Sequence, residues 1–217
     1  MTLSAEESPP EETGRRMPRK GLVLVVVILA AALLGGAALI GNKVISGVAD
    51  PAPPPPAPRE ASDTPGNFVR FDYTPAQISI GYPSDWVQRR SEDREVGLLI
   101  SRGRDASMLL RVAPIGIEVT PDTLPVVRSL TDSLVRADGR VELLETPREI
   151  VLDGLPGYVY RYLFTTKDGR PGAHVHYFLF KGGKLITLVF QALPASRLGA
   201  LSESFDQIAG TFRNRVG

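Results

Sequence analysis

The chain has 217 residues, a formal charge of +1 and no cysteine. Near-neutral charge argues against a dedicated nucleic-acid binder, whose domain is strongly basic. The missing cysteine excludes disulfides, thiol nucleophiles, thiolate-held metals and iron–sulfur clusters, and also the acylated cysteine of a bacterial lipoprotein.

The first twenty residues run from acidic (Glu6, Glu7, Glu11, Glu12) to basic (Arg15, Arg16, Arg19, Lys20) with hardly any apolar side chains. Such a composition cannot bury a core, and it predicts a disordered cytoplasmic N-terminus over 1–20. Next comes GLVLVVVILAAALLGGAALI, residues 21–40, without a charge. At ~1.5 Å per residue this helix would be ~30 Å long, the thickness of a bilayer core. It predicts a single-pass transmembrane signal anchor over 21–42. Four basic residues precede it and Lys43 alone follows closely, which puts the N-terminus inside and the rest outside. A cleaved signal peptide, with small residues at 47–49, is the rival reading, but its apolar core is usually only ~7–15 residues. Small residues recur at four-residue spacing (Ala31 and Gly35, Ala32 and Gly36, Ala37 and Gly41), a pattern that lets membrane helices pair into a homodimer. Residues 43–66 include DPAPPPPAPREASDTPG, an extended proline-rich linker.

Residues 67–217 are the globular domain, long enough to bury a core. Short strands are predicted over 68–73 and 77–82, the second closed by Pro83. A pair follows over 96–101 and 107–115 around the turn RGRDA. A helix is predicted over 120–137, with Thr120 or Asp122 as cap, Pro125 in its first turn and Leu124, Val127, Leu130, Thr131 and Leu134 on one face. A strand over 141–154 is broken at Pro147. Strands over 158–166, 173–181 and 184–193, joined by KDGRPG and KGGK, form an antiparallel meander. A last helix, about 195–210, aligns Leu198, Leu201, Phe205 and Ile208. Strands with one internal and one terminal helix spell an α+β fold, an antiparallel sheet whose apolar faces the helices cover.

The stretch ISIGYPSDW (78–86) resembles the strand-then-YPxxW opening of the PsbP-like superfamily. LDGLPGYVYRY (152–162), the meander and FDQIAGTFR (205–213) resemble later segments of the same pattern, with Thr211 where serine is usual. The superfamily includes photosystem II extrinsic proteins, a eukaryotic nuclear-transport factor and bacterial membrane- or lipid-anchored proteins. The resemblance implies an α/β/α sandwich preceded by the membrane helix, and it implies binding or assembly rather than an activity.

The residues point the same way. His174 and His176 are the two histidines, and their i, i+2 spacing puts them on one strand face. A metal would need a third ligand such as Asp168 or Asp153, and two ligands do not make a site. No G-x-S-x-G elbow or phosphate-binding glycine motif is present. Tyr158, Tyr160, Tyr162 and Phe164 share one face of a strand, with Arg161 on the other. Such a stripe either packs beneath a helix or lines a binding groove, and Tyr158, Tyr160, Tyr162 and Arg161 are the candidate binding residues. The arginines of QRRSEDREVG and RGRDA are interspersed with acids and read as a solvated face. The expectation is a membrane-anchored, extracytoplasmic, non-catalytic binding or assembly module, with no cofactor and no nucleic acid. Its partner would be a protein, an envelope lipid or a small apolar ligand. The alternative is a hydrolase or metal-dependent enzyme using His174 and His176. Heavy use of Ala, Gly, Arg and Pro fits a GC-rich bacterial genome.

Overall fold

The computed structural model of the protein describes residues 67–137 and 141–215. The cytoplasmic segment, the membrane anchor and the linker read over 1–66 lie outside them. Among the described residues, no helix is long and apolar enough to cross a membrane.

All strand pairs with a recorded register are antiparallel. Strand β1 (Phe68–Tyr73) pairs with β2 (Ile78–Pro83), and β2 pairs with the terminal β10 (Arg213–Asn214). The Gly81 N–H donates to Thr211 Oγ1 at 2.7 Å, beside that junction. A larger sheet contains β3 (Val87–Gln88), β4 (Val96–Arg102), β5 (Ala106–Val119), β9 (Pro171–Ala192), β8 (Leu155–Thr165) and β6 (Val141–Leu143) in that spatial order. β7 (Arg148–Leu152) also pairs with β8. The single sheet expected from the sequence is therefore two. Pro83 has no N–H to continue a ladder, and the turn after it sends the chain from one sheet to the other.

β9 doubles back on itself. His174 Nε2 and Gln191 Oε1 lie 3.1 Å apart, whereas seventeen extended residues would separate them by more than ~50 Å. The bend falls in Lys181–Lys184, where Gly182 takes a positive φ of 55°. The KGGK meander turn is thus present, with its two arms, 171–181 and 184–192, side by side. The ammonium groups at its tip reach across to the other sheet. Lys181 Nζ donates to Ala76 O at 2.9 Å and Lys184 Nζ to Pro75 O at 2.8 Å. A second tight turn, Asp153–Gly154, joins β7 to β8 with φ of 46° and 79°, the backbone of a two-residue hairpin. Pro147 does break the 141–154 strand as its sequence indicates, yet both pieces lie along β8. β5 outruns its expected end at Ile115 because Gly116, at φ 68°, lets a bulge absorb the irregularity before Val119 rejoins β9.

Side-chain alternation divides the core between the two faces of the large sheet. Val159, Val175, Leu179, Ile186, Leu188 and Phe190 pack with Ile78, Ile80 and Tyr82 of β2 and with helix α2 (Leu198–Gly210). Leu201, Phe205 and Ile208, three and four positions apart, are the buried stripe of α2, and Phe212 extends it. The opposite residues of the same strands, Tyr158, Tyr160, Phe178, Phe180 and Leu185, pack with Leu124, Val127, Leu130 and Leu134 of helix α1 (Leu124–Arg136). The helices thus cover opposite faces of one sheet. Each fully buried Leu, Ile or Phe contributes about 1.5–3 kcal/mol, so the two layers together dominate the stability of the domain.

Pro125 sits in the first turn of α1, where its missing N–H costs nothing. Ahead of it, residues 121–123 form a short 3₁₀ turn, and the Thr120 N–H donates to Thr123 Oγ1 at 2.8 Å. Trp86 is buried at the seam between the sheets, edge-on to Phe205 with ring centroids 6.4 Å apart. It closes the core from the turn that leaves β2.

Candidate functional site

The tyrosine stripe and the two histidines occupy one continuous patch of the large sheet, because β8 and the first arm of β9 pair Tyr160 with His176 and Tyr162 with His174. All five side chains point to the α1 face.

Helix α1 engages two of the tyrosine hydroxyls. Tyr158 donates to Leu124 O at 3.1 Å. Tyr160 donates to Asp132 Oδ1 at 2.7 Å, and its oxygen lies 2.6 Å from Thr131 Oγ1. Arg128 lies over both rings, at 5.0 Å from Tyr158 and 5.8 Å from Tyr160, and pairs with Asp132 at 3.2 Å. Burial pushes the Tyr160 phenol well above its ordinary value. It stays protonated and acts as a fixed donor. Tyr160→Phe is expected to cost about 1–3 kcal/mol in chemical denaturation, because it strips a buried partner from Asp132 and Thr131. A ligand reaching Tyr158 or Tyr160 would first have to displace α1.

Tyr162 belongs instead to the histidines. Its hydroxyl lies 3.1 Å from His174 Nδ1 and 3.1 Å from His176 Nδ1. His174 Nε2 meets Gln191 Oε1 on the second arm of β9. Both rings are sandwiched in the sheet face, His174 stacked on Phe164 at 4.2 Å and His176 on Phe178 at 3.9 Å. Burial lowers the His174 pKa from 6.5 to about 4. It lowers that of His176 well below 6.5 as well, and the neighbouring His174 adds to the effect. Both imidazoles are therefore neutral at physiological pH.

Arg161 emerges on the other face of β8, half-buried, with its Nε 3.6 Å from Glu145 Oε1. The structure thus separates it from the three tyrosines with which it was grouped. Neither carboxylate considered as a third metal ligand joins the histidines. Asp168 is held by Thr166 and Arg170 within its own turn, and Asp153 Oδ2 accepts the Asn214 N–H at 2.6 Å. Among the described residues, no three His, Cys, Asp or Glu side chains group as metal ligands do.

The same face continues onto β5 and β4 with side chains that the sequence reading did not single out. Gln191 lies opposite Ser107 and Thr187 opposite Arg111, while Leu109 and Val189 pair between them and pack with Leu99. Arg111 is buried and neutralised by Glu95, which accepts from its Nη2, and by Asp93, 3.4 Å from its Nε. The acids of QRRSEDREVG therefore serve an internal arginine. Alternation of Thr187, Val189 and Gln191 was the available signal, hidden in a strand that reads as almost wholly apolar. The patch offers neutral imidazoles, buried hydroxyls and a paired guanidinium, all enclosed within the domain. It is chemically suited to holding strands together.

No protein-family model matches the sequence, and no curated protein matches it. Solved structures do share its fold. The cyanobacterial PsbP (CyanoP) of Synechocystis sp. PCC 6803 superposes with a TM-score of 0.52 at 18% identity, over 73% of this chain and 98% of that one. LpqN of Mycobacterium tuberculosis, a protein involved in cell envelope biogenesis, superposes with a TM-score of 0.51 at 12% identity. That match covers 63% of this chain and 82% of LpqN.

Proposed function

We propose that this chain, whose domain has a PsbP-like fold, is a non-catalytic binding or assembly module. Its apolar segment 21–42 anchors it in the cell membrane, and the linker 43–66 spaces the domain outside the cytoplasm. Its partner is a protein or lipid of the cell envelope. The observation that carries this reading is the state of the tyrosine–histidine cluster. Tyr160, Tyr162, His174 and His176 are buried, their imidazoles are neutral, and their hydroxyls are engaged by neighbouring side chains. Buried within the domain, these groups are closed to a substrate. LpqN, which shares the fold, is described as involved in cell envelope biogenesis, and that setting suits an anchored domain beyond the membrane.

The test is a crosslinked pulldown of the intact protein from its native membrane, with bound proteins and lipids identified by mass spectrometry. The expected result is one reproducible envelope partner that is retained when His174 and His176 are both changed to glutamine. Pairing through the small-residue stripe of 21–42 would appear in the same experiment as a crosslinked dimer. Recovery of the domain free in the medium, with a new N-terminus near Asp50, would overturn the anchor. A hydrolytic or metal-dependent activity abolished by the double substitution would overturn the non-catalytic reading in favour of an enzyme.

A further inference from the structure

We propose that one end of the domain, the end at which the linker joins it, is a basic docking face for an anionic phospholipid surface. The inference rests on the reading of 21–42 as a membrane anchor, and it names the part of the domain that turns toward that membrane.

The strand registers gather this end from four turns and the close of α1. The Ser84 N–H donates to Asn67 O at 2.9 Å, so the chain enters beside the turn 84–86. β3 leaves that turn with Val87 opposite Ser101, next to the turn 102–105. The Leu193 N–H donates to Asp105 O at 2.9 Å, which brings in 193–197 and the first turn of α2. The turn 166–170 is closed by the pair Thr165 and Pro171, a few residues along β9 from the contact of His174 with Gln191. α1 ends at Arg136, and β6 then begins opposite Phe164, beside the same turn.

Charge is divided unevenly between this end and the other. Here Arg102, Arg104, Arg136, Lys167, Arg170 and Arg197 are the cations, and all but Arg102 are exposed. Against these six stand three acids, Asp85, Asp105 and Asp168, for a net of +3. Two of the acids are held within the end itself, Asp168 by Arg170 at 2.7 Å and Asp105 by Arg197 at 3.4 Å. The N-terminus of α2 adds its positive partial charge. At the opposite end, the turns 74–77, 116–123, 153–154 and 181–184 carry Glu118, Asp122 and Asp153 against Lys181 and Lys184, a net of −1. Both of those ammonium groups are turned to main-chain carbonyls. Asp138 and Arg140 cancel and change neither sum. In the sequence each turn mixes signs, and the polarity appears only when the registers bring the turns together.

Tethering selects a lipid surface among anionic partners, since the bilayer is always within reach of the linker and the linker joins at the basic end. Each basic residue held at an anionic surface favours docking about fivefold. The attraction fades beyond a Debye length of ~8 Å at physiological salt, so it orients the domain rather than merely drawing it in. Val87, 51% exposed and next to Trp86, gives the same end an apolar side chain for the headgroup boundary.

The chain contains no cysteine, so single labels report which end approaches the bilayer. A fluorescent donor is attached to the full chain at Ser196→Cys on the basic end or at Glu118→Cys on the opposite end. Each is reconstituted in vesicles carrying an acceptor lipid, of phosphatidylcholine alone or with phosphatidylglycerol added. Phosphatidylglycerol is expected to raise energy transfer from position 196 and not from 118. The rise should vanish at ~1 M salt, where the Debye length is ~3 Å. Arg104→Glu/Lys167→Glu, two exposed positions whose change leaves the circular dichroism spectrum intact, should weaken docking by more than ~25-fold. Equal responses at 196 and 118, or equal transfer in the two lipid mixtures, would overturn the docking face. Failure of the anchor reads differently: the chain would not sediment with phosphatidylcholine vesicles. Docking is then read as sedimentation with phosphatidylglycerol vesicles, expected in the wild type and lost in the double variant, and its absence in both would overturn the proposal.

Discussion

Gly157→Ala is expected to destabilise the domain by about 3 kcal/mol or more, measured as the shift in urea midpoint at constant slope. A Cβ on Gly157 would fall 2.1 Å from the carbonyl oxygen of Phe178 and 3.0 Å from its carbon. Both belong to the backbone of the neighbouring strand, paired in register as Tyr158 with Phe178 and Gly157 with Leu179. They cannot move aside without spreading the β8–β9 ladder, and both strands are buried here against α1 and α2. Gly172 provides the control. Its Cβ would meet the Phe164 ring at 2.3 Å, but that ring is half-buried and can rotate away. Gly172→Ala should therefore cost clearly less, about 1 kcal/mol. Equal costs at the two sites would contradict the strand contact at Gly157.

The second large effect is expected at Trp86. Its ring is 3% exposed and lies edge-on to Phe205, itself in contact with Phe190 at 5.1 Å. Trp86→Ala would leave a void among these rings, at a cost of about 3–5 kcal/mol. The indole N–H has no hydrogen-bond partner, so Trp86→Phe loses volume but no polar contact and should cost markedly less. Circular dichroism is the suitable readout, since the variants lack the tryptophan fluorescence. If Trp86→Phe proved as damaging as Trp86→Ala, the role of the ring as filler would be wrong.

Much of the fold was legible because local rules and tertiary needs coincide. The period of α2 placed Leu201, Phe205 and Ile208 on its buried side, and KGGK and Asp153–Gly154 have the residues that tight turns require. The division into two sheets was not legible. It depends on β10, a two-residue strand with no periodicity to detect, and on β2 finding that strand rather than β4. At the patch, alternation told that His174 and His176 share a face and that the tyrosines share theirs. It could not tell that the two faces are one, since that follows from the register that sets Tyr162 beside His174. Gln191 was hidden for the same reason: in sequence it is one polar residue in an apolar strand, and its role appears only when β9 folds back. Arg111 shows the limit of charge counting. The loop acids that seemed to dilute a basic surface neutralise an arginine inside the domain.

The small sheet imposes an order of events. β2 begins at residue 78, yet its second edge is completed by residues 213 and 214, with the Gly81–Thr211 bond spanning 130 positions. The domain cannot close its seam until almost its last residue has been synthesised. Until then the second edge of β2 stays open, whatever the rest of the domain has already buried.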